Sequence, residues 1–151
     1  MIDLHPVLSG LPLASVLLLL GAEALVCFPR AAAARDTLRH TAVLCCLLAA
    51  IGAFLSGYQA SSLATQLQSH AEDAMANHHT LGRFLLINSI LLVTFFYLMK
   101  IAVHGKRVMQ SLYYVAFVTQ IVLTVWVGFL GGQLVFEHGI NVKSSSITLS
   151  R

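Results

Sequence analysis

Four long apolar runs, residues 11–28, 41–60, 84–103 and 112–130, decide what this chain can fold into. At about 1.5 Å of rise per helical residue, each run reaches roughly the thickness of a bilayer's hydrocarbon core. Water is absent from that core, so every peptide group must bond internally, in a helix or a closed barrel. The runs are continuous and lack the strict alternation of a barrel strand, which selects helices. Pro12 stands at the start of the first run, where its missing N–H costs nothing. Pro29 and Gly105 fall just past the ends of the first and third.

Composition agrees with a lipid solvent. Hydrophobic residues make up 58% of the 151 and charged residues 10%, with a mean hydropathy of +0.82. These values exclude an intrinsically disordered chain and a cysteine-dense secreted scaffold. A net charge of +3, dispersed along the chain, gives no nucleic-acid footprint. The leader Met1–Pro6 contains no basic residue, and the first run ends in Cys27, Phe28, Pro29 and Arg30 rather than a small-residue cleavage site, so the run is expected to remain as a helix.

Basic residues set an expected orientation. Arg30, Arg35 and Arg39 follow the first run, and Lys100, Lys106 and Arg107 follow the third; Arg83, Lys143 and Arg151 on the other side are offset by Asp3, Glu72, Asp73 and Glu137. The positive-inside rule then puts both termini outside. The expected fold is an all-α, up-down-up-down four-helix transmembrane bundle over residues 1–142, followed by a short polar tail, 143–151.

In this topology five of seven histidines fall on the outer side. His5 leads into the first helix, His70 follows the second, His78 and His79 open the third, and His138 closes the fourth; His40 and His104 lie at the cytoplasmic edge. Imidazole is the commonest metal ligand and a usual haem axial ligand, so histidines converging at one bundle end suit a haem or metal site. Solvated histidines at a polar membrane face are the plain alternative, and His70 fits that description best. His78 and His79 are about 100° apart on a helix, so one of the two is expected to face the axis. His78 is followed on its face by Gly82, Leu85 and Ser89, and His79 by Gly82, Arg83 and Leu86.

If the fourth helix continues past Leu130, Gly131 and Gly132 make a small-residue surface that admits a neighbouring helix or a flat cofactor. Gly139 then suits a left-handed cap. Glu23, a carboxylate inside a span, must pair, be protonated or face the bundle, and Arg30, Arg39 or Lys100 is the expected partner. Asn88, Thr94, Gln120 and Thr124 are expected to make interhelical hydrogen bonds. Cys27, Cys45 and Cys46 lie toward the reducing compartment, and C-x-x-C-H, nucleophile elbows, phosphate loops and H-E-x-x-H are absent.

His5-Pro6 followed by Pro12-Leu13-Ala14, together with Gly131-Gly132-Gln133-Leu134-Val135-Phe136-Glu137-His138-Gly139 through Val142, resembles the terminal signatures of a family of small bacterial membrane proteins of unknown function. Its patterns read H-P-x5-P-[IL]-A and G-G-x-L-V-[YF]-x-H-G-x-x-V. The resemblance implies a four-helix protein of a bacterial cytoplasmic membrane, with an acid late in the first helix, here Glu23, and a histidine at the third helix, here His78 or His79. It brings no reaction with it.

Three classes follow. One is a haem b protein in electron transfer or redox sensing, its site formed by His5, His78, His79 and His138 with Gly131 and Gly132 admitting the macrocycle. Another handles copper or zinc through His5, His79 and His138, although the lack of thiolate or methionine-rich motifs weakens copper(I). The third is a non-catalytic assembly or accessory subunit. Expected partners are the bilayer and a redox protein or membrane subunit.

Overall fold

The computed structural model describes residues 8–28, 30, 32–63 and 69–137, with side chains left out at 32, 59–63 and 69–71. Over these residues the chain is all-helical. Helix α1, Leu11–Ala24, runs into a 3-10 turn, Leu25–Cys27; α2 is Ala32–Leu63, α3 is Ser69–Ile101 and α4 is Lys106–Phe136. The helices pack through contacts of α1 with α2, α2 with α3, α3 with α4 and, more sparsely, α1 with α4. The tail at 143–151, His5, His138 and Gly139 lie outside the described residues.

Each helix begins and ends for a local reason. Pro12 occupies the first turn of α1. Phe28, the residue before Pro29, is extended at φ −119° and ψ 92°, the conformation a following proline enforces, and this stops α1. Gly105 adopts φ +76° immediately before α4, turning the chain between α3 and α4 in a conformation that other residues rarely take.

Three helices, α2 to α4, contain segments long and apolar enough to cross a membrane, whereas the first, Leu11–Cys27, is shorter. The sequence led to the expectation that all four apolar runs span; a short helix in a thicker core is accommodated by local thinning or by partners. The second and fourth helices exceed their apolar runs at both ends, and the third exceeds its run at the start. In particular α3 starts at Ser69, so His78 and His79 sit in its third turn rather than at its opening.

Contacts fix how the helices lie. Leu8 reaches Gly52 while Glu23 meets Arg39, so α1 and α2 run in opposite directions. Asp36 meets Lys100 and His40 meets Tyr97, and Asn88 meets Gln120 while His78 meets Gly131, giving the same antiparallel relation for α2 with α3 and α3 with α4. Val16, Leu19, Val43, Cys46, Leu92, Phe96 and Tyr113 fill the core. Val115, Val118, Val122, Val125, Trp126 and Phe129 form an exposed apolar face on α4, far more than a water-facing helix carries, and lipid is its natural solvent.

Candidate functional site

The polar residues within the apolar length of the helices divide into three groups. At the end where α1 closes and α4 opens, Glu23 Oε1 accepts from Arg39 Nε at 2.7 Å and from the Tyr113 hydroxyl at 2.6 Å. Tyr114 donates to Oε2 at 3.5 Å. Arg39 also lies over the Tyr113 ring, 5.2 Å from its centroid. This is the expected pairing of Glu23, with Arg39 as partner and with tyrosine donors that residue spacing did not reveal. His40 bonds Tyr97 at 2.7 Å at the same end, and His104 is exposed in the α3–α4 turn.

Midway along, Asn88 Nδ2 donates to the Ala116 carbonyl and to Gln120 Oε1, and Gln120 Nε2 donates to Ser89 Oγ. These bonds tie α3 to α4 as expected. Thr94 departs from expectation: it is exposed, and its hydroxyl returns to the Ile90 carbonyl of its own helix. Thr124 departs too, for its buried hydroxyl has no hydrogen-bond partner among the described residues.

At the opposite end all four helices surround a cavity of about 650 Å³. That size lies within the about 300–1,000 Å³ typical of small-molecule sites. His78 and His79 both line it, together with Gly82, Gly128, Gly131 and Gly132. Ser9, Gly10, Pro12 and Leu13 come from the start of α1, and Ala53, Phe54 and Gly57 from α2. The sequence expectation that one of the two histidines faces inward is refined here. His78 packs directly on α4, where a Cβ added at Gly131 would lie 3.3 Å from His78 Cε1. The two imidazoles stand 6.2 Å apart, tilted by 70°.

The glycines do two different things. Gly131 lets the His78 ring approach the α4 backbone, a packing role. At Gly82, Gly128 and Gly132 an added Cβ would meet nothing within 4 Å, so these positions leave space rather than close a helix contact.

Of the site residues expected from sequence, His78, His79, Gly131 and Gly132 are brought together. His5 and His138 lie outside the described residues, so the proposed trio of His5, His79 and His138 for copper or zinc has one described member. Among the described residues no three His, Cys, Asp or Glu side chains converge. Sequence reasoning missed Gly82 and Gly128 as cavity-forming positions, although both lie one turn from an expected site residue on the same helix face.

Residues 1–144 match a family described as predicted membrane proteins (DUF2231). No curated protein and no solved structure matches the chain.

Proposed function

The chain belongs to the DUF2231 family of predicted membrane proteins, and from that premise we propose a membrane haem b protein of electron transfer or redox sensing. The observation that carries this reading is the cavity at one bundle end, apolar in most of its lining, in which His78 and His79 face space kept open by glycines. An apolar slot beside imidazoles is what a flat, hydrophobic, iron-bearing ring requires. When bound, haem supplies a one-electron couple whose potential follows from its axial ligands and its burial.

The chain's own residues would do the rest. His78, whose ring packs against α4 at Gly131, would hold the iron in this reading. His138 stands two residues beyond Phe136 in sequence, and His5 four before Ser9, and both Phe136 and Ser9 line the cavity. His138 and His5 would be the candidates for a second ligand. The mostly apolar walls from α1, α2 and α4 would shield the bound group from water. Basic residues at 30, 35, 39, 100, 106 and 107 support an orientation with this end on the outer side of a bacterial cytoplasmic membrane and both termini outside.

Purification with adequate haem supply tests the proposal. A Soret band with a low-spin spectrum is expected, and His138→Ala should convert it to a five-coordinate, high-spin one. Wild-type protein without Soret absorbance would refute haem binding.

A further inference from the structure

The deep end of the cavity holds a feature that the histidines do not explain. Thr124 is 5% exposed and lines the cavity, and its hydroxyl has no partner among the described residues. Leaving a buried hydroxyl unpaired is costly, and its neighbours in the lining, Leu85, Val125 and Val127, offer no side-chain acceptor. A ligand oxygen placed there would satisfy it.

Depth narrows the source of that oxygen. Thr124 lies six residues before Leu130, the end of the fourth apolar run, about 9 Å along the helix axis and so well inside an about 30 Å hydrocarbon core. Phospholipid ester carbonyls sit at the interface, outside that core. A carbonyl at this depth belongs to a molecule dissolved among the acyl chains.

The cavity also opens in that direction. Leu13 of α1 and Val125 and Gly128 of α4 line it while being exposed on the outer surface. Helices α1 and α4 are joined by Glu23, Tyr113 and Tyr114 at the far end. We infer that the deep end of the cavity binds a membrane-dissolved quinone, which enters sideways between α1 and α4 and accepts a hydrogen bond from Thr124. The inference shares the cavity with the haem reading and does not require haem to be present.

Decylubiquinone is the probe, added to purified full-length protein in detergent with thermal unfolding and Trp126 fluorescence as readouts. Wild type should show saturable stabilisation. Thr124→Val should unfold later than wild type when ligand-free, because the orphan hydroxyl is gone, yet bind about tenfold more weakly. Thr124→Ser should restore affinity, and Gly128→Phe, built into open space, should abolish the response with helicity retained. Equal affinity in wild type and Thr124→Val, or the same stabilisation by phospholipid alone, would overturn the inference. A protein without Soret absorbance that still binds decylubiquinone through Thr124 supports it while the haem proposal fails; a Soret band with no quinone response overturns this inference alone.

Discussion

Glu23→Gln isolates the charge of the pair that closes the far end of the bundle. The side chains of Arg39 and Glu23 are 13% and 11% exposed, so solvent screens the pair little. Removing one partner of a buried pair costs about 3–5 kcal/mol, because the other charge is left behind without compensation. Glutamine keeps the shape, and its oxygen still accepts from Arg39 and Tyr113, so the loss should fall at or below the bottom of that range, about 2–3 kcal/mol. At about 2–4 °C per kcal/mol for a chain somewhat larger than a small domain, the melting point should fall by roughly 5–10 °C. The assay is thermal unfolding in detergent, followed by far-ultraviolet circular dichroism and by the fluorescence of Trp126, the single tryptophan. Combining Glu23→Gln with Arg39→Gln should cost less than the sum of the two single changes, since neither charge then remains buried alone. Unchanged melting in Glu23→Gln, or strict additivity in the double variant, would refute the claim that the pair holds α1 to α2.

Other outcomes follow from single contacts. Gly132→Ala should stabilise α4 by about 0.5–1 kcal/mol in thermal unfolding, because its Cβ meets open space, whereas Gly131→Ala should displace the His78 ring and disturb any haem spectrum. Asn88→Leu removes two bonds between α3 and α4 and should cost about 1–3 kcal/mol by the same assay. A reporter active only outside the cytoplasm should work when fused after Arg151, and a cytoplasmic reporter should work when inserted near Ala33; the reverse pattern would place the cavity on the cytoplasmic side.

Hydropathy made the helices legible, because a backbone in lipid has few alternatives. Their ends were less so. The ten residues from Ser69 to His78 mix Ala71, Ala74, Met75 and Ala76 with polar residues and lie before the apolar run at 84–103, yet they extend α3. That His78 packs on α4 was readable from its own face: Leu85 and Ser89, seven and eleven residues after His78, are buried, while Arg83, four after His79, is exposed. The partners of Glu23 were half legible. An arginine nearby in sequence is a natural counter-ion, but Tyr113 comes from a helix ninety residues away, and no local pattern announces such a contact. Thr124 shows the opposite failure, since a threonine in an apolar helix suggests a bonded hydroxyl and only the packing around it reveals an unmet one.

The absorption spectra of wild type, His78→Ala and His40→Ala, purified in parallel with haem supplied, test the central claim most directly. His40 lies at the far end of the bundle: its partner Tyr97 is nineteen residues from His78 along α3, about 28 Å away. The expected result is a Soret band in wild type and in His40→Ala, lost or converted to high-spin in His78→Ala. Equal effects of the two substitutions, or no Soret band in any of the three, would contradict a haem site at His78.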